Sequence, residues 1–145
     1  MAKKYTMHVV AGTHWDREWR HSAEQSKLRL RDLIDHALDL LENKESYKAF
    51  VIDGGQVTID DYLSVRPENR DRLRRLCRAG PIQLVNWYTL PDTNIVPGEA
   101  VIRNIMLGRK VAEEFGGTIQ TGYTATSYGQ PSQLPQIYQG CGIPS

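Results

Sequence analysis

The strongest constraint on how this chain folds is the alternation of two hydrophobic periods along it. Short apolar runs at residues 5–11, 47–52, 81–87 and 118–123 read as strands. Between them lie longer stretches whose apolar residues recur every three or four positions, as in Leu30, Leu33, Ile34, Ala37, Leu38 and Leu41. That spacing places the apolar side chains on one face of a helix. A short helix is expected over 59–63. A second is opened by Pro67 and runs to Ala79-Gly80, and a third covers 99–115 and is closed by Gly116-Gly117. A last helix begins near Ser132. Strands joined through helices must run parallel, because a crossover of that length returns the chain to the same end of the sheet. The predicted class is therefore α/β, a parallel strand–helix repeat with helices packed over a sheet.

In such folds the chemistry collects beyond the carboxyl ends of the strands. This rule gathers His14, Asp16 and Glu18 after the first strand, Asp53 after the second and Asp92 after the third. It adds Thr124, Thr126 and Ser127 after the fourth. Net charge is only +1, so no general attraction to nucleic acid or an anionic membrane is expected. Arg70, Arg72, Arg74, Arg75 and Arg78 cluster, but Leu73 and Leu76 interleave them as on the solvated face of a helix. No run approaches the roughly 20 apolar residues of a membrane span. Residues 5–10 are too polar and too few for a secretory signal core. Cys77 and Cys141 are isolated from one another and from any histidine pair, so the expected location is a reducing cytoplasm. An oligomeric state is left open.

The densest segment is Thr13-His14-Trp15-Asp16-Arg17-Glu18-Trp19-Arg20. Two residues apart on extended or looped backbone, His14 and Asp16 face the same side. An imidazole with a carboxylate suits zinc, or another first-row divalent ion, better than calcium. His-x-Asp is a short pattern, and a surface histidine beside a charged loop accounts for it as well. The two tryptophans add a constraint. Core packing explains one of Trp15 and Trp19, but a second indole among Arg17, Glu18 and Arg20 asks for a partner such as the apolar face of a sugar ring.

The segment from His14 to Trp19 resembles the opening motif of glycoside hydrolase family 38, the alpha-mannosidases. Further matching segments follow in order: Asp53-Gly54, Asp61-Tyr62-Leu63, Arg66-Pro67-Glu68, Trp87 through Asp92, Gly98-Glu99, Arg103-Asn104 and Gln133 through Ile137. The resemblance implies that residues 1–145 are the amino-terminal part of a catalytic domain and the first part of a seven-stranded β/α barrel. It implies a zinc ion (one per site), with His14 and Asp16 as two of its ligands and a later histidine outside this chain. Trp19 takes the place of the aromatic residue on which mannose stacks. The substrate would be an alpha-mannoside oligosaccharide, cleaved with retention by a carboxylate nucleophile and a carboxyl acid. A partial barrel leaves open sheet edges, so the piece by itself is expected to be marginally stable and inactive.

One departure bears on catalysis. The family has Asp in Pro-Asp-Ser-Phe-Gly-His, and here Ala125-Thr126-Ser127-Tyr128-Gly129-Gln130 puts Thr126 at the nucleophile's place. A threonine carries no resting charge, so it neither balances a metal nor steadies an oxocarbenium ion as a carboxylate does. Three readings stand. Another carboxylate, Asp92 or Asp53, serves as nucleophile; or hydrolysis has been lost and sugar binding kept; or the correspondence over 124–130 is displaced. As turn residues after Pro91 and before two glycines, Asp92 and Asp53 also have simple structural roles. A metal-dependent deacetylase on a similar barrel would need paired aspartates near the first strand and a later His-x-x-x-His, and the chain has neither.

Overall fold

The computed structural model describes residues 3–124 and 128–144. Its order is β1 (Ala11–Gly12), α1 (Ala23–Asn43), β2 (Phe50–Ile52), α2 (Val57–Val65), α3 (Arg70–Ala79), β3 (Ile82–Leu84), α4 (Gly98–Ala112) and α5 (Leu134–Gly140). Single 3-10 turns, Pro67–Asn69 and Glu113–Phe115, precede α3 and follow α4. The three strands form one parallel sheet in the order β1-β2-β3, with Ala11 opposite Phe50 and Phe50 opposite Ile82.

Local chemistry sets the helix boundaries. Ser22 caps α1: its hydroxyl accepts from the Gln25 backbone while the Gln25 side chain accepts from the Ser22 N–H. Ser26, Leu30, Ile34, Ala37 and Leu38 then form the buried stripe. Gly80 and Gly116 terminate the next helical segments in the left-handed conformation that glycine reaches without steric cost. The α1 stripe packs with Phe50, Ile52, Ile59, Tyr62, Leu73 and Leu84 into one core. A second core on the other side of β3 joins Val85, Trp87, Val101, Ile105, Leu134 and Ile143. The arginine-rich helix is α3, and its outer face is ion-paired: Arg72 and Arg75 meet Glu42, and Arg70 meets Glu114. Such exposed pairs contribute at most about 1 kcal/mol each.

Two sequence expectations are corrected. The first strand is not residues 5–11: only Ala11–Gly12 pair, and Tyr5, Met7 and Val9 are each about four-fifths exposed. Because β2 starts at Phe50, opposite Ala11, residues before Ala11 have no strand beside them. The expected strand over 118–123 is not formed either. Ile119 donates its N–H to the Leu84 carbonyl at 2.9 Å, which begins a fourth ladder on the edge of β3. The Ile119 carbonyl is then taken by the Asn86 side-chain amide at 2.8 Å instead of a backbone N–H, and the ladder ends.

Candidate functional site

The carboxyl ends of β1 and β2 are tied by one buried carboxylate. Asp53, directly after β2, accepts from the Thr13 hydroxyl at 2.8 Å, the Trp15 backbone N–H at 3.1 Å and the Tyr123 hydroxyl at 3.0 Å. Thr13 returns the contact by accepting from the Asp53 N–H at 3.1 Å. Burial, followed by the Asp53 charge and its hydrogen bond, pushes the Tyr123 hydroxyl up to about 12.

His14 sits where this knot turns the chain. Its φ of 45° is the one positive value among the described non-glycine residues. A β-carbon is disfavoured in that region, and such a conformation persists only where the surroundings over-determine it. Here the neighbouring bonds of Thr13 and Trp15 to Asp53 do so. His14 Nδ1 lies 3.6 Å from Asp53 Oδ2, which leaves Nε2 as the ring nitrogen free to bind. Gly54 permits the turn: a β-carbon there would stand 2.8 Å from Cβ of Trp15 and 2.6 Å from Cγ2 of Thr58. Farther along the loop, Arg17 grips the buried Asp61 on α2 through Nε at 2.6 Å, and this bond is the main reason its guanidinium holds its proton more tightly than usual.

A second loop approaches from β3. Asn104 on α4 clamps it: Oδ1 accepts from the backbone N–H groups of Tyr88 and Thr89 at 2.8 and 3.0 Å, and Nδ2 donates to the Thr89 carbonyl at 2.7 Å. The loop then delivers Leu90, Pro91 and Asp92, whose carboxylate accepts from the Asn94 N–H at 3.1 Å. The two loops enclose a cavity of about 320 Å3 lined by His14, Asp16, Trp19, Pro91, Asp92 and Tyr128.

Four residues singled out in the sequence thus share one cavity: His14, Asp16, Trp19 and Asp92. Thr126 lies outside the described residues. Asp53 is not on the lining of that cavity, and its oxygens accept from Thr13, Trp15 and Tyr123. The two tryptophans separate: Trp15 packs against the core, whereas Trp19 is 69% exposed. The Arg20 guanidinium covers one Trp19 face at 4.5 Å from the ring centroid. Tyr123 was not foreseen, since only the fold brings it to Asp53, 70 positions away.

For a metal the donor chemistry fits in part. His14 and Asp16 offer an imidazole nitrogen and carboxylate oxygens to the same cavity, a borderline set that zinc accepts. Among the described residues no group of three His, Cys, Asp or Glu side chains is placed to hold an ion. The described part therefore offers two candidate donors, fewer than the four of an ordinary zinc shell.

The sequence and fold of the chain have relatives among known proteins. Residues 4–145 match the model of the glycosyl hydrolases family 38 N-terminal domain. The chain is 34% identical over 141 residues to a protein of Halalkalibacterium halodurans provisionally assigned as a mannosylglycerate hydrolase, and 26% identical over 142 residues to alpha-mannosidase 2C1 of Mus musculus. It covers 16% and 14% of those proteins, while 97% of its own length is aligned in each case. The crystal structure of an alpha-mannosidase from Enterococcus faecalis V583 superposes on 93% of the chain, and on 15% of its own, with a TM-score of 0.88 and 35% identity. This chain belongs to glycosyl hydrolase family 38.

Proposed function

We propose that the protein containing this chain is a zinc-dependent, retaining alpha-mannosidase, whose barrel is completed to seven strands by sequence outside these residues. The observation that carries the reading is the meeting of His14, Asp16, Trp19 and Asp92 around one cavity in a chain that matches the family along nearly its whole length. His14 and Asp16 would hold the ion, and zinc when bound supplies Lewis-acid polarisation of sugar hydroxyls. Asp53 Oδ2, 3.6 Å from His14 Nδ1, sets a negative charge on that side of the ring. Trp19 offers a rigid apolar wall to one face of a pyranose ring. Asp92 brings a carboxylate to the rim. Retention requires two carboxyl groups roughly 5–5.5 Å apart, and the position corresponding to the nucleophile is Thr126. Mannosylglycerate, the substrate in the name of the Halalkalibacterium relative, is one alpha-mannoside such a site would take.

Thr126 favours a second reading, a sugar-binding relative that no longer hydrolyses. The full-length protein separates the two. Release of mannose from an aryl alpha-mannoside, with zinc content near one per chain that His14→Ala and Asp16→Ala each abolish, is the expected result. In that case Asp92→Asn should lower kcat more than Thr126→Ala does. Sugar binding without turnover, regained by Thr126→Asp, would establish the second reading. Retention of full zinc in both ligand variants would remove His14 and Asp16 from the metal site.

A further inference from the structure

The loop that carries Asp16 and Trp19 is fastened to the fold on both sides of Asp16. On the amino-terminal side the Thr13 hydroxyl and the Trp15 N–H meet Asp53. On the other side Arg17 reaches across 44 positions to Asp61 on α2. Its Nε donates to Asp61 Oδ2 at 2.6 Å, and a second nitrogen donates to Oδ1 at 3.3 Å. The remaining guanidinium nitrogen donates to Glu18, so the group grips its own loop as well as the helix.

This pair differs from the other arginine pairs. The Asp61 side chain is 9% exposed, whereas every other carboxylate paired with an arginine among the described residues is at least 26% exposed. A planar guanidinium that meets a shielded carboxylate through two nitrogens fixes a geometry as well as a charge. The same helix also holds the opposing loop. The Val57 N–H donates to the Tyr88 carbonyl at 2.9 Å, and the Tyr88 hydroxyl donates to Asp60 at 3.1 Å. Both walls of the cavity, one bearing Asp16 and the other Asp92, are thus referred to α2. Asp61 has a second cation, Lys27 on α1, at 3.4 Å. Of the two, Arg17 alone lies on the loop.

We infer that Arg17 is a positioning residue, whose two-pronged bond to Asp61 sets Asp16 and Trp19 in their places on the cavity. The inference rests on the reading of His14 and Asp16 as metal holders, and it adds the residue that places the second of them.

The test compares the full-length protein with Arg17→Gln, Arg17→Lys, Asp61→Asn and Lys27→Gln. The zinc dissociation constant is read by competition with a chelator, and amide hydrogen exchange over residues 16–20 is read in the metal-free protein. Arg17→Gln should weaken zinc binding about tenfold, the lower end of what losing a partner behind a metal ligand costs, and should speed exchange over 16–20. Asp61→Asn should do the same. The two changes together should be no worse than either alone, since both break one bond. Arg17→Lys keeps the charge without the fork and should recover part of the affinity. Lys27→Gln takes a cation from the same carboxylate without touching the loop's sequence, so zinc binding and loop exchange should stay at wild-type values. Unchanged zinc binding and exchange in Arg17→Gln, equal weakening by Lys27→Gln, or additive losses in the double variant would overturn the inference. The two readings fail separately. A wild type that takes up no zinc removes the metal reading, and exchange that quickens in Arg17→Gln but not in Lys27→Gln still supports Arg17 as the strut. Wild-type zinc binding that Arg17→Gln keeps in full removes the strut and leaves the metal reading standing.

Discussion

Asp53→Ala is the sharpest test of how the fold builds the site. The carboxylate is 4% exposed and accepts from Thr13, Trp15 and Tyr123. Removing it leaves those three donors facing a small void. A hydrogen bond to a buried charged acceptor is worth about 1.5–3 kcal/mol, but all three donors are only partly buried and water can reach them, so about 1 kcal/mol each is the sounder figure. The His14 contact adds little to this sum, because the ring is 53% exposed and the separation is 3.6 Å. The total is about 3 kcal/mol. For a chain of this size that corresponds to a fall in Tm of roughly 10 °C. Asp53→Asn keeps the carbonyl oxygen that accepts from Thr13 and Trp15, but its amide NH2 faces Tyr123 and can only donate to that hydroxyl, so about 1 kcal/mol should be lost. Urea denaturation of the wild type and both variants provides the numbers. In the full-length protein Asp53→Ala should also weaken zinc retention, because the turn that carries His14 loses the Thr13 and Trp15 bonds that hold it. The reasoning fails if Asp53→Ala costs under about 1 kcal/mol, or if Ala and Asn are equally damaging.

Three further outcomes follow from the same geometry. Gly108→Ala should destabilise by roughly 2 kcal/mol despite its better helix propensity. The new β-carbon would stand 2.4 Å from the Trp87 backbone and 2.5 Å from that of Tyr88, and unchanged denaturation would show that α4 packs less closely. Trp19→Ala should raise the dissociation constant for a mannoside several-fold and leave Tm within about 2 °C, since the ring is mostly exposed; the reverse pattern would make Trp19 a packing residue. Stability should fall as pH rises from about 10 to about 12. The Tyr123 hydroxyl, raised to about 12 in the fold against about 10 in the unfolded chain, holds its proton in the folded state while the unfolded state has lost it. Tyr123→Phe should shallow that slope, and an identical slope would remove Tyr123 as a contributor.

The comparison of sequence with structure separates two kinds of information. Helix positions and the parallel direction of the strands were legible because they rest on local periodicity, helix stops and connection length. The Leu30–Leu38 stripe and the stops at Gly80 and Gly116 each depend on residues within a few positions of one another. The opening motif, too, was legible as a run of chemically capable side chains. Strand extents were not, because a strand exists only where a neighbour lies alongside: residues 5–10 have the composition of one and lack the neighbour, and 118–123 yield their ladder bond to the Asn86 side chain. Nor could the sequence decide which aspartate is buried and which lines the cavity. Asp53 and Asp92 both follow strand-like runs, yet three donors from residues 13, 15 and 123 engage Asp53 while the Asn104 clamp sets Asp92 at the rim. Side-chain types and their local spacing determined what chemistry the chain carries. Contacts across 15 to 70 positions decided which groups meet, because only packing brings residues so distant in sequence within hydrogen-bonding reach.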